Sequence, residues 1–435
     1  MHTIRHRGLA AGIATAAVLG LAACGSSDPQ AAGEPEAPGE PVPLTMTVWT
    51  ADEAQLALFQ SIADAYVAEH PELVSEVTFE AIPFDDYTTS LTTRLAGGNA
   101  PDLAWILESY APEFVQSGAL VDVGPVLEGT DGYAYDDLLE SSLALWQQDG
   151  GLFAYPFSNS PFALFVNTDQ VEAAGQPSPA ELVGSGEWTY DAARDIAAAA
   201  AEESGKQGLV VRDFDYKVWE NLSTIWDGWD AAPWSADGAT CTFTDPAMVD
   251  AMTWIHDATF DDGAMPGPGT TADFFAGDAA LTITQISRAS SLDDSFAWDV
   301  VPLPAGPEGR QNVIGQAGIG VFAQGEHPDV AADFLAWFTN PENAEQLAAY
   351  FPPPRESLLT AEVLGAANPL LSEDQLQAVV VDGITDAVTK PAHPSFAKLQ
   401  DTVRAGLDPL WTADADVEAV LADVCTSIDP VLAGS

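Results

Sequence analysis

Four tryptophans, Trp219, Trp226, Trp229 and Trp234, crowd a short segment that also carries Asp215, Tyr216, Glu220, Asn221, Asp227 and Asp230. Neither a helical nor a strand period puts all four indoles on one buried face, so some are expected at the surface. Flat apolar rings beside carboxylates and amides suit a saccharide. The C–H faces of a sugar ring stack on indole, while Asp, Glu, Asn and Gln take its hydroxyls. Tryptophan is also highly buried on average, so ordinary core packing is the competing reading of these rings.

Constellations that make or break bonds are missing. The chain has no GxSxG, HExxH or GxxxxGK[ST] motif. His70, His256, His327 and His393 show no metal spacing, and the doublets Asp85-Asp86, Asp136-Asp137, Asp261-Asp262 and Asp293-Asp294 lack the glycine and closing glutamate of a calcium loop. Gly267 to Ala272 fits a loose GxGxxA pattern, but Pro268 sits inside it and no strand precedes it. Two of the carboxylates could in principle form a glycosidase pair, and nothing in their spacing selects one. No catalytic residue, metal or cofactor is expected.

Composition narrows the partners. Among 435 residues, 66 are acidic and 13 are Lys or Arg, for a formal charge of -53. Basic residues do not cluster outside the first seven positions, which argues against nucleic acid. With 47% hydrophobic residues the chain can bury a core, so disorder is excluded as well.

The elements that must position the aromatic and polar groups can be read from periodicity. Leu44, Met46 and Val48 alternate with Thr45, Thr47 and Trp49 as in a strand; Phe59, Ile62, Ala63, Tyr66 and Val67 share a helical face that ends before Pro71. A strand over Val77 to Ile82, a helix over Asp85 to Leu95 and a strand over Asp102 to Ile106 complete a β-α-β-α-β unit. That order predicts a parallel sheet with ligands beyond its carboxyl ends, at Thr50 to Ala54 and Trp105 to Tyr110. Farther on, strands are expected at Phe162 to Asn167, Ala279 to Ile286 and Trp298 to Leu303, and helices at Trp188 to Glu203, Val249 to Phe260 and after Asn340-Pro341.

The N-terminus reads as an export signal. Arg5 and Arg7 precede an apolar run from Leu9 to Leu21 that is too short to span a bilayer, and Leu21-Ala22-Ala23-Cys24 suits cleavage before a lipid-modified cysteine. Arg5-His6-Arg7 is not a twin-arginine pair, so the unfolded-chain secretory route is expected. Loss of these two arginines takes the charge from -53 to -55. Residues 1–23 are then a lipoprotein signal peptide and 24–43 a flexible tether, with Cys24 the lipidation site. In an oxidising compartment the remaining Cys241 and Cys425 are expected to pair, the alternative being two buried thiols.

At this point the sequence resembles the extracellular solute-binding proteins of ABC importers, in the maltose-binding-protein-like group that serves sugars. The resemblance spans nearly the whole mature chain. It rests on Leu44 to Thr50 before a helix ending at His70-Pro71, on Leu95-Ala-Gly-Gly-Asn-Ala-Pro-Asp102, on Gly118-Ala-Leu-Val-Asp-Val123, and on Gly151-Leu-Phe-Ala-Tyr-Pro156 running to Val166-Asn167. Glu187-Trp188-Thr189, Phe275-Ala-Gly-Asp-Ala-Ala-Leu281, Val300-Val-Pro-Leu-Pro304 and Ala331-Ala-Asp-Phe-Leu335 continue it in the family's order.

The resemblance implies an α/β, two-lobed periplasmic-binding-protein-like fold. Each lobe would be a mixed, mostly parallel sheet flanked by helices, with three crossing segments near Phe157 to Ser160, Val313 to Gln316 and Pro352 to Glu356. Residues 44–157 with 316–352 would form the N-terminal lobe and 158–315 with 353–435 the C-terminal lobe. It implies stacking by Trp105, Tyr216 and Trp219, with hydrogen bonds from Asp52, Glu53, Glu108, Asn159, Gln285, Gln316 and Arg355. Ser158 at the first crossing and Arg288 after a strand are further candidates, and Ser158-Asn159-Ser160 stands where some relatives carry an acid. The expected protein is a monomeric, lipid-anchored receptor on the outer face of the cytoplasmic membrane. It would capture a mono- or oligosaccharide without chemistry and pass it to an ABC permease. The rivals are the same fold holding a polyol, phosphodiester or cationic solute, and an extracellular lipoprotein hydrolase.

Overall fold

The computed structural model describes residues 40–434 apart from 213–217, 268–269, 271 and 386. The leader, Cys24, residues 24–39 of the tether and Tyr216 lie outside the described residues. Strand β1 (Val42–Val48), helix α1 (Glu53–Glu69), β2 (Val74–Ala81), α2 (Phe84–Ala96) and β3 (Leu103–Leu107) follow the expected order, and β1 pairs in parallel with β2 and β3. The start of α1 is fixed by Asp52, whose carboxylate accepts from the Gln55 N–H at 2.8 Å. Phe59, Ile62, Ala63 and Tyr66, spaced three and four apart, bury its inner face.

Beyond this unit come β4 (Ala154–Asn167), α3 (Tyr190–Ser204), β5 (Gln207–Val211), α4 (Pro246–Phe260), β6 (Ala279–Gln285), β7 (Trp298–Val301) and β8 (Val313–Val321). Helix α5 (Pro328–Phe338), strand β9 (Val388–Thr389) and helices α6 (Phe396–Leu407) and α7 (Val417–Leu432) complete the frame. The strands join in the order β2-β1-β3-β8-β4-β6-β5, with β7 on β4 and β9 on β8.

The sheet is mixed, but its parallel share is smaller than expected. All the antiparallel pairings in it involve β4 or β8, the two long strands that pass from one lobe to the other against their neighbours. Both are buried along their whole length, which explains why the second half of β4, Phe162 to Val166, is an unbroken apolar run rather than an alternation. Gly318 in β8 is required by close approach, since a Cβ there would lie 2.8 Å from the Trp146 ring.

The buried apolar side chains form two clusters, one per lobe. One holds β1 to β3, the first part of β4 through Phe157, and Ala317 to Leu347; the other holds Phe162 to Ile314 and Ala348 to Leu432. Cys241 and Cys425 are joined by a disulfide with Cα atoms 5.3 Å apart, tying α7 to the segment ahead of α4.

Candidate functional site

A cleft of about 660 Å³ opens between the lobes. One wall is built at the carboxyl ends of the parallel strands: Trp49 to Asp52 after β1, Phe84 and Asp85 after β2, and Leu107 to Tyr110 after β3. The opposite wall carries Arg212 after β5, Glu220 and Asn221, Gln285 to Ser291 beyond β6, and Lys390 after β9. Phe157, Ser158, Ser160 and Gly315 to Ala317, all on crossing strands, form its floor.

Trp49 is the half-buried indole of this wall. Its ring meets Tyr87 at 5.1 Å and Phe84 at 6.0 Å, both edge-on, so it is braced from behind. Trp105 is only 1% exposed. Phe157 stacks on it at 4.7 Å and 24°, and Trp49 contacts it edge-on at 4.7 Å, so Trp105 lines the cleft with almost no open surface and chiefly supports the wall.

Trp219 corrects the sequence expectation. It is fully buried (0% exposed), stacked on Phe396 at 6.2 Å and packed near Trp226, Trp234 and Phe243. It opens a short 3-10 helix, Trp219–Leu222, that turns the indole into the core and gives the next two side chains, Glu220 and Asn221, to the cleft. None of Trp219, Trp226, Trp229 and Trp234 lines the cleft. Tyr216, the other half of that expected platform, is outside the described residues.

Glu108 is buried at the cleft, 3.0 Å from the Lys390 ammonium, which also donates to Asn221 Oδ1 at 3.1 Å. This ion pair joins one lobe to the other, as does the edge-on contact of Tyr110 with Phe396 at 5.2 Å. Burial pushes the Glu220 carboxyl above the usual range, opposed by the charge of Lys390. Asp52 lines the cleft while capping α1; Glu53 is exposed in the first turn of that helix and is not part of the wall. Gln285 reaches the cleft, accepts from Arg212 Nη1 and packs over Gly315, where no side chain would fit. Ser158 and Arg288 also line the cleft, Arg288 exposed and 5.2 Å from the Phe275 ring.

Of three further expected ligand contacts, Asn159 and Arg355 do not line the cleft, and Gln316 lines its floor with its amide already engaged. Gln316 accepts from Trp146 Nε1 at 2.7 Å and donates to Ser142 O at 3.0 Å and Asn159 Oδ1 at 2.7 Å, which engages both of its N–H groups. Asn159 is fully buried in that network, donates to Pro156 O at 3.3 Å, and its backbone N–H donates to Pro352 O at 3.1 Å. All three crossings are thus stitched together by one polar network. Arg355 is 0% exposed, 3.6 Å from Asp137, donating to Ala134 O and Thr339 O at 3.2 and 3.0 Å, with Tyr133 4.7 Å from its guanidinium. It holds the third crossing to the N-terminal lobe and does not line the cleft.

Wall residues outside the expected set of ligand contacts include Trp49, Phe84, Tyr110, Arg212, Glu220, Asn221 and Lys390. Trp49, Phe84, Tyr110, Arg212 and Lys390 each stand within three residues of the carboxyl end of a strand, and that position was their signal. Glu220 and Asn221 had theirs in the tryptophan-rich segment, whose carboxylates and amides suit a sugar although its indoles do not line the cleft.

Fold and site together define a two-lobed binding protein with a solute cleft at the carboxyl ends of its strands. The family model for bacterial extracellular solute-binding proteins matches residues 61–373, and the chain belongs to that family. An arabinooligosaccharide-binding protein of Halalkalibacterium halodurans is 24% identical over 350 residues, covering 75% of this chain and 73% of that protein. An uncharacterized lipoprotein of Streptomyces antibioticus is 24% identical over 333 residues, covering 72% of this chain and 70% of that protein. The structure of the ABC substrate-binding protein Lmo0181 from Listeria monocytogenes, in complex with cycloalternan, aligns with a TM-score of 0.78 at 20% identity, over 90% of this chain and 99% of that one.

Proposed function

We propose that the protein is the lipid-anchored, sugar-capturing receptor of an ABC importer. The observation that carries this reading is the cleft itself: Trp49, braced by two aromatic rings, faces a wall of amides, hydroxyls and charged groups across a space of about 660 Å³. Trp49 is the stacking ring in this reading. Asp52, Asp85, Glu108, Ser158, Glu220, Asn221, Gln285 and Arg288 surround the hydroxyls. Closure is a hinge motion at the three crossings, favoured because the solute touches both lobes at once only in the closed form. The two apolar clusters support lobes of 44–157 with 316–352 and 158–315 with 353–435, the third change of lobe falling a few residues earlier, near Leu347-Ala348.

The family is one of solute-binding proteins rather than enzymes. In this reading a monomer is held through Cys24 at the outer face of the cytoplasmic membrane, and the closed form docks on a permease. The similarity to a lipoprotein and to an arabinooligosaccharide-binding protein supports both halves of that statement. Thermal unfolding of the mature protein against mono- and oligosaccharides, polyols and cationic solutes tests it, because a ligand of the native state raises the melting temperature. A shift with a saccharide that is recovered intact supports the receptor. Shifts confined to the non-sugars, or conversion of the sugar, refute it.

A further inference from the structure

The cleft gathers basic groups in a chain that has few. Among the described residues, Arg212, Arg288 and Lys390, of the 13 basic residues in the sequence, line it, against Asp52, Asp85, Glu108 and Glu220 of the 66 acidic ones. Asp85 is exposed, and the other three are held within the protein. Asp52 caps α1 at 2.8 Å, Asp85 lies in the first turn of α2, and Glu108 is paired with Lys390 at 3.0 Å. Glu220 is buried against that pair, where burial favours its uncharged form.

Arg288 differs from all of these. It is exposed at the cleft and, among the described residues, makes no ion pair or hydrogen bond, only the contact with Phe275 at 5.2 Å. With about five carboxylates available per base in this chain, an arginine without one on a binding wall is set out for an anion that arrives from outside. The hydroxyls of Ser287, Ser290 and Ser291 line the cleft around it. Arg212 adds a second guanidinium on the same wall, oriented by Gln285 and 5.8 Å from the Phe84 ring on the facing lobe.

Resting on the sugar-receptor reading, we propose that the captured saccharide is acidic, carrying a carboxylate or a phosphate that Arg288 and Arg212 receive on the C-terminal wall. The planar fork of arginine matches either oxyanion through two parallel N–H bonds. Trp49, on the other lobe, takes the apolar face of a ring.

Titration calorimetry on the mature protein tests this with matched probes: an oligogalacturonate, a glucuronic-acid-bearing xylooligosaccharide and a hexose phosphate, each beside the neutral sugar of equal ring number. At least one acidic probe is expected to bind about tenfold or more tighter than its neutral counterpart. Which one binds separates carboxylate from phosphate. Arg288→Gln, at an exposed position where the fold is expected to survive, lowers affinity for that probe about 10- to 100-fold, a fall at least about tenfold larger than for the neutral sugar, so the preference for the acid is lost. An unchanged melting temperature confirms that the variant is folded. Neutral sugars binding as tightly as acidic ones, or an Arg288→Gln variant with unaltered preference, overturns the proposal and leaves the sugar receptor standing. Heat from no saccharide of either kind overturns both.

Discussion

Replacing Gln316 with methionine keeps the volume of the side chain and removes its amide. Three buried groups then lose their partner: Trp146 Nε1, Ser142 O and Asn159 Oδ1, now bonded at 2.7, 3.0 and 2.7 Å. Gln316 is 1% exposed, and Trp146, Ser142 and Asn159 are also buried, so water does not replace the amide. Each orphaned group costs about 1–3 kcal/mol, which puts the loss at about 3 kcal/mol or more out of the roughly 5–15 kcal/mol that holds a typical domain. Urea unfolding followed by tryptophan fluorescence reads this as a lower midpoint. Gln316→Glu fares no better, because its carboxylate faces Asn159 Oδ1 and the Ser142 carbonyl without a proton to give. A midpoint for Gln316→Met within about 0.5 kcal/mol of the native protein, the range of a neutral surface change, would refute the view that this amide binds the crossings together.

Other expectations are similarly concrete. Arg355→Met leaves the Ala134 and Thr339 carbonyls without their donor, while Asp137 keeps its bonds from Ser357, and is expected to lower unfolding free energy by about 2 kcal/mol or more, with ligand affinity kept in calorimetry. Trp219→Ala costs about 3–5 kcal/mol of stability and leaves affinity unchanged, whereas Trp49→Ala weakens saccharide binding by about 1–2 kcal/mol. Reducing Cys241–Cys425, which are 184 residues apart in sequence, removes about 5 kcal/mol by loop-closure entropy, seen as a fall in urea midpoint with reductant. Burial pushes the Asp227 carboxyl up to about 8, with the Asp230 charge adding to the rise. The folded state therefore keeps a proton that the unfolded chain releases near pH ~4, and stability falls as pH rises from about 4 to about 8. Asp227→Asn should flatten that part of the urea-midpoint profile.

Much of the frame was legible because it is written in local periods. The alternation of Leu44, Met46 and Val48 is β1, and the spacing of Phe59, Ile62, Ala63 and Tyr66 is the buried face of α1, each within a few residues of the expected ends. Asn340 caps its helix through Asn343 N as the Asn-Pro pair predicts. The site was harder, because the role of a polar side chain depends on partners far away in sequence. Gln316 meets Trp146 and Asn159, and Arg355 meets Asp137 and Ala134, more than 150 residues off in every case. No local pattern announces such pairs. Both residues looked like ligand contacts because a polar group near a crossing is either at the cleft or holding the crossing in place.

The tryptophans make the same point in reverse. Crowding around Trp219 reflected how much apolar surface the C-terminal lobe must bury, and the indoles there pack on Phe243, Phe396 and one another. Trp49 stood alone in sequence, at the end of β1, with no neighbours of its kind. Its position just past the carboxyl end of a parallel strand aims it at the cleft, where backbone geometry gathers the ends of β1, β2 and β3. Topology therefore outweighs composition in this chain. A single aromatic residue at a strand end lines the cleft, while the four crowded together belong to the core of the other lobe.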